Sequence, residues 1–335
     1  MNVSYERMSG TLFGVLMKYG FSEADASSLA EIFTDNTFDG VFSHGIKRFP
    51  GFVQYVELGL VKPRAKPARL RKKGNFEQWD GRLGAGPLNA LRAMDRAVRI
   101  AKRKGFSLVT LRNTNHWMRA ATYGLYAASR GMLSVSFTNT KANMPPWGAK
   151  EPRIGNNPFV LAVPDGDRTI ILDTAISQYS YGKLSNHLEE RRDFPFPGGF
   201  DADGRLTVKP EAIAESGRML PIGYWKGSGL SLLLDLFVSI LSDGRTTREI
   251  EELGGGEREF GISQAFMCFN PDFFGAGDRR RNLIRTTLEY VKGAALAEGF
   301  EAIRYPGERS ALSRKEHFMK GVELPDDLWR KIAVL

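Results

Sequence analysis

A single cysteine, Cys268, serves all 335 residues, so no intramolecular disulfide can form and nothing in the cysteine usage points to an oxidising compartment. It lies in the apolar run Ala265-Phe266-Met267-Cys268-Phe269, which reads as an inert core thiol. Met1-Asn2-Val3-Ser4-Tyr5-Glu6-Arg7 lacks the charged-then-apolar pattern of a leader. The most apolar stretch, Leu230 to Leu241, is short for a bilayer and carries Asp235, so no membrane partner and a cytoplasmic location are expected. Nucleotide fingerprints are absent too. Gly84-Ala85-Gly86 and Gly227-Ser228-Gly229 both fall short of Gly-x-Gly-x-x-Gly, and no phosphate-binding loop of the Gly-x-x-x-x-Gly-Lys type occurs. With no His-Glu-x-x-His and no cysteine pair, no metal is expected.

What remains is an ordinary folding composition: 42% hydrophobic, 25% charged and 11% aromatic residues, which excludes disorder as the main state. Lys plus Arg outnumber Asp plus Glu by 47 to 38, giving a formal charge of +9 that favours anionic partners. A nucleic-acid binder would need a basic stripe with interleaved aromatics. The basic residues here are dispersed among acids, as in Glu189 to Asp193 and Arg245 to Glu252, so no nucleic-acid partner is expected.

Helical spacing of Leu12, Leu16 and Tyr19, a capping pattern at Ser22-Glu23-Ala24-Asp25 and a segment from Arg48 to Leu58 make the first sixty residues helical. Val61 to Lys72 reads as a connector. Beyond it helices (Ala90 to Arg103, Ala120 to Ser129, Leu230 to Ser242, Leu283 to Ala295) alternate with strands. The strands are Phe106 to Leu111, Met132 to Asn139, Phe159 to Val163, Thr169 to Asp173 and Ser263 to Phe269. The pattern predicts an α/β body over 76–284 and a helical segment over 1–75, with 285–335 packing near it. Asn186 to Lys209 reads as a long surface excursion.

Of four histidines, His187 and His317 sit in charged surroundings and read as surface groups. In Ser43-His44-Gly45-Ile46-Lys47-Arg48, helical geometry would place His44 and Arg48 on one face. Such a pair can hold a carboxylate and hand a proton to a neighbouring carbonyl; equally it can be a solvated helix end. His116, in Asn113-Thr114-Asn115-His116-Trp117, and Lys141 follow strands, where sites collect and where simple turns also occur. Asp173 at a strand end could orient a histidine or cap a helix. Tyr224-Trp225-Lys226-Gly227-Ser228-Gly229 could receive a phosphate or serve tight helix packing.

Taken together, Ser43-His44-Gly45 with Arg48-Phe49-Pro50, Asn115-His116-Trp117-Met118-Arg119, Met144 to Glu151, Gly223 to Gly229 and Arg304 to Gly307 resemble the type-2 malate/L-lactate dehydrogenases, also described as the ureidoglycolate and sulfolactate dehydrogenase group. The Trp-containing segments resemble the branch acting on a sugar-derived diketo acid. The resemblance runs along nearly the whole chain. It implies a non-Rossmann NAD(P)-binding α/β fold: a mixed sheet with helices, plus helical N- and C-terminal segments. It implies reduction of a 2-oxo acid, with NADH ahead of NADP as cofactor. Malate, L-lactate, ureidoglycolate or a piperideine-2-carboxylate-type imine are the alternative substrates. By the same resemblance His44 is the proton donor. Asp173 steadies it and raises its pKa, with His116 also catalytic, while Arg48 and Lys141 bind substrate. Thr169, Ile170, Ile171, Leu172, Asp173, Thr174, Ala175, Trp225, Lys226, Gly307, Glu308 and Arg309 touch the nucleotide. Arg168 and Arg309 would pair with a 2′-phosphate. A homodimer is implied, with the N-terminal helices as interface material.

Overall fold

A computed structural model of the chain describes residues 1–275 and 277–335. After a short strand β1 (Asn2–Val3), Met8, Leu12, Val15 and Leu16 form a stripe that buries one side of helix α1 (Tyr5–Lys18). Ser4 caps α1 by accepting the Arg7 N–H, and Ser22 caps α2 (Glu23–Phe38) by accepting that of Asp25. Two 3-10 turns, Phe42–His44 and Ile46–Arg48, lead into α3 (Phe49–Glu57), where Pro50 sits in the first turn and breaks no intrahelical bond.

The expected connector ends in strand β2 (Ala68–Lys73), which pairs with β3 (Phe76–Asp80). Five of its six residues are solvent-exposed, and its basic residues protect a sheet edge, so the polarity that suggested a loop belongs to an edge strand. Next come α4 (Gly86–Lys104), β4 (Phe106–Thr114), α5 (Ala121–Ala128), β5 (Leu133–Thr138) and the hairpin β6 (Phe159–Asp165) and β7 (Arg168–Thr174). The end of helix α6 (Tyr181–Glu189) and strands β8 (Gly199–Phe200) and β9 (Leu206–Thr207) fall within the expected excursion, and α7 (Pro210–Ser216) follows it. His187 is not a surface group. It is 3% exposed, its ring lies 4.3 Å from that of Phe194, and it faces inward with Leu184 one turn back. The charged run after it is the polar end of α6.

Helix α8 (Trp225–Ser242), α9 (Thr247–Gly254) and β10 (Ile262–Phe269) complete the body. The seven-stranded sheet runs β2-β3-β4-β10-β5-β6-β7, with β3 and β4 parallel and its other neighbours antiparallel, so the mixed sheet expected from the sequence is present. Alternation along β4 and β10 sends Val109, Leu111, Phe266 and Cys268 into one core with α4 and α5. Leu108 and Ala265 enter another with Leu234 and Val238 of α8. The chain closes with α10 (Gly277–Lys292), α11 (Glu308–Lys320), β11 (Val322–Glu323), which pairs with β1, and α12 (Asp326–Ala333). Trp329 and Ile332 of α12 join the core of α1 to α3. His317 of α11 is half-buried, its Nδ1 2.7 Å from the Phe38 carbonyl oxygen, which corrects its reading as a surface group.

Helix α8 is turned against its own composition. Ser228, Ser231, Asp235, Ser239 and Ser242 face the sheet, while Leu230, Leu233, Leu236, Phe237 and Ile240 face outward. The inward polar groups are satisfied. Ser231 Oγ donates to Gly155 O at 2.5 Å, and Asp235 accepts from Asn139 Nδ2 at 2.8 Å and from the Thr247 N–H at 2.9 Å. Among the described residues α8 is the one helix long and apolar enough by composition to cross a membrane.

Candidate active site

His44 ends the first 3-10 turn, and α2 holds the backbone on both sides of it. Asn36 Nδ2 donates to His44 O at 3.0 Å, and Thr37 Oγ1 accepts the Ile46 N–H at 2.8 Å. Gly45 lies between, so close to α2 that a Cβ there would stand 2.3 Å from Thr37 Oγ1. Only glycine lets the turn approach this far.

The turn opens on a cleft of about 990 Å³. His44, Arg48, His116, Lys141 and Asp173 all line it, so the structure gathers these five sequence candidates into one cavity. The His44 and His116 rings stack with centroids 5.7 Å apart. Ser43 Oγ lies 3.1 Å from His44 Nδ1, and among the described residues Nε2 has no partner. His116 Nδ1 accepts the Met118 N–H at 3.0 Å, so the neutral ring carries its proton on Nε2. Arg48 has no acid or hydrogen-bond partner among the described residues. Lys141 lines the wall, with its ammonium on the carbonyls of Gly256 and Glu257, each at 3.1 Å.

Asp173 opens onto the cleft but is walled in by protein on its other sides. Burial pushes its carboxyl up, opposed by the Ala121 N–H that it accepts at 2.7 Å and by Arg119. It makes no hydrogen bond to His44. The expected rise of the His44 pKa is reversed: burial, then the positive charges of Arg48 and Arg119, lower it to about 4. The same burial, with Arg48 and His44, holds His116 well below the usual imidazole range. Both rings are therefore neutral at pH 7. In the unfolded chain each takes a proton near pH 6.5, as a free imidazole does (about 6.5). As pH falls from there toward 4 the unfolded state binds more protons, so stability declines. The melting temperature should drop on acidification through this window, and the drop should shrink when His44 and His116 are both replaced by asparagine. An equal drop in the double variant would refute the assignment.

Of the residues expected to touch a nucleotide, Ile171, Asp173, Ala175 and Gly307 line the cleft. Thr169, Ile170, Leu172 and Thr174 belong to the same strand β7 without lining it. Glu308 is engaged with Lys292 and the Tyr305 N–H. Trp225 and Lys226 stand apart, exposed at the start of α8. There Gly227 packs so tightly that a Cβ would lie 2.1 Å from Ile222 O, the packing role left open by the sequence. Arg168 is paired with Asp165 at 2.7 Å, whereas Arg309 has no acid partner among the described residues.

The cleft suits a dinucleotide. The first residues of α6 line it with Gly307, the residue before α11, and amides at helix starts favour phosphate. Gly307, at φ 92°, lies against β7, where a Cβ would meet Ile171 Cγ2 at 2.7 Å. Sequence reasoning missed Ser43, Arg119 and Glu259 of the lining. Ser43 and Arg119 lay within quoted motifs. Glu259, in a polar loop, carried no signal.

A family model described as malate/L-lactate dehydrogenase matches residues 3–333. The chain is 41% identical over 335 residues, all of both chains, to 2,3-diketo-L-gulonate reductase of Escherichia coli O6:K15:H31. Sulfolactate dehydrogenase from Methanocaldococcus jannaschii is similar in structure, with a TM-score of 0.90 and 29% identity over 99% of this chain and 95% of that one. Delta1-piperideine-2-carboxylate reductase from Pseudomonas syringae pvar. tomato gives 0.87 and 27% over 100% and 99%.

Proposed function

Because the chain belongs to the malate/L-lactate dehydrogenase family, we propose that it reduces a 2-oxo acid, 2,3-diketo-L-gulonate first among them, using NADH. The observation that carries this reading is His44 and the unpaired Arg48 on one wall of a cleft that β7 and Gly307 also line. The guanidinium grips the substrate carboxylate and fixes the keto group beside His44. A bound dihydronicotinamide supplies the hydride. As negative charge grows on the keto oxygen, His44 Nε2 delivers a proton to it. His116 Nε2–H, with its tautomer fixed by Met118, donates a second hydrogen bond. Arrival of the substrate carboxylate offsets the Arg48 charge, which adds to the larger effect of burial in keeping His44 neutral. Arg119, ion-paired with Asp39, contributes fixed positive potential.

A panel of 2-oxo acids and cyclic imine carboxylates, followed by loss of NADH and NADPH absorbance in parallel, tests the assignment. Silence with every acid and imine would refute it. A second cofactor reading rests on Arg309. This free guanidinium lies close enough to Lys183 to lower its pKa, behind the larger effect of burial, and suits a 2′-phosphate. Lower KM for NADPH than for NADH would favour it.

We also propose a homodimer in which a second copy covers the outward apolar face of α8. Phe237 and Ile240 there are 59% and 73% exposed. Such pairing would also bring Trp225 and Lys226 toward the neighbouring chain. Phe237→Glu should convert dimer to monomer in light scattering; an unchanged mass would place the interface elsewhere.

A further inference from the structure

Glu259 is a charged group of the cleft that the proton transfer leaves unused. It lies in the loop between α9 and β10. Its backbone N–H donates to the Tyr55 hydroxyl at 3.2 Å, and Tyr55 stands two helical turns beyond Arg48 on α3. The Glu259 backbone is thereby tied to α3, the helix that follows Arg48. One carboxylate oxygen, Oε2, accepts the Lys141 N–H at 3.1 Å. The other, Oε1, takes no hydrogen bond among the described residues and is not sealed from the cleft.

Neither neighbouring cation neutralises this carboxylate. The Lys141 ammonium is turned onto Gly256 O and Glu257 O. Arg48 is near enough to favour the ionised form but makes no ion pair with it. Burial is the larger influence on Glu259 and pushes its carboxyl up. A carboxylate held in place, walled in and half-satisfied is costly unless a ligand completes its hydrogen bonding.

We propose that Glu259 selects hydroxylated 2-oxo acids, its Oε1 accepting a hydrogen bond from a hydroxyl on the carbon chain beyond the keto group. This rests on the 2-oxo acid reading above. In the proposed pose the substrate carboxylate lies on Arg48, the keto oxygen at His44 and the chain beyond against Glu259, Lys141 and Tyr55, which line the same cleft. A hydroxylated tail satisfies Oε1. A methyl group strips water from it and returns nothing, which is how a polar wall rejects an alkyl analogue.

The test compares Glu259→Leu, Glu259→Gln and the parent enzyme on 2,3-diketo-L-gulonate and on pyruvate, which has no hydroxyl. In Glu259→Leu, kcat/KM for the diketo acid should fall by about 10–100-fold, chiefly through KM, with pyruvate reduction equal or increased. Glu259→Gln keeps an acceptor oxygen and should retain most of the preference. If the leucine variant does not fold, Glu259→Asp, one methylene shorter, should move the preference in the same direction. Both substrates falling together in a folded variant, or neither changing, would overturn the proposal and leave the parent reading intact. A parent enzyme inert toward both acids, and toward every other 2-oxo acid, would overturn both.

Discussion

Replacement of His44 by asparagine should lower kcat/KM for 2-oxo acid reduction by about 10²–10⁴-fold, the usual worth of a positioned general acid, while NADH still binds. The backbone contacts that set the turn, Asn36 to His44 O and Ile46 N to Thr37, do not involve the imidazole, so the cleft keeps its shape in the variant. The change in NADH fluorescence on titration without substrate measures binding separately from turnover. The direction of the pH dependence follows from the lowered pKa. The free enzyme holds His44 at about 4, so its protonated fraction shrinks as pH rises above that value. Reduction needs the cation, and kcat/KM should decline with rising pH. Oxidation of the corresponding hydroxy acid needs the neutral ring and should run the opposite way. Parent-like activity in His44→Asn would remove the residue from the mechanism.

The second large effect is expected at Asp39, which has no direct part in the chemistry. Asp39 and Arg119 are ion-paired and almost fully buried, and Arg314 of α11 reaches the same carboxylate at 2.9 Å. The pair joins α2 to the segment that carries His116. Asp39→Ala leaves a guanidinium without its counter-charge in the interior, which typically costs about 3–5 kcal/mol. That corresponds to a fall in melting temperature of roughly 4–7 °C for a chain of this size. The variant also strips the compensation from a charge that already opposes protonation of His44, so reductase activity should fall in the protein that remains folded. A melting temperature within about 2 °C of the parent would show that water reaches Arg119 and solvates it.

Much of this architecture could be read from residue order. The helical spacing of Leu12, Leu16 and Tyr19, the capping pattern at Ser22 and the branched and aromatic runs of β4 and β10 are local signals, and each marks its element. His44 with Arg48 could be suspected because they are four residues apart. The histidine stack could not, since His116 arrives from a strand end some seventy residues later and only the fold brings the rings together. The sign of the His44 pKa shift is hidden in the sequence for the same reason. Asp173 was expected to govern it, but burial and two arginines do. His187 was misread because charge in the neighbouring sequence says nothing about which side of α6 faces Phe194.

A helix whose greasy side looks outward changes the fate of a lone chain. On the proposed pairing, Phe237 and its neighbours are a sticky surface in the unpaired chain, so newly made molecules would face a race between correct association and clumping. Dilution, which slows meetings, should then erode heat resistance even though every bond inside one chain is unchanged.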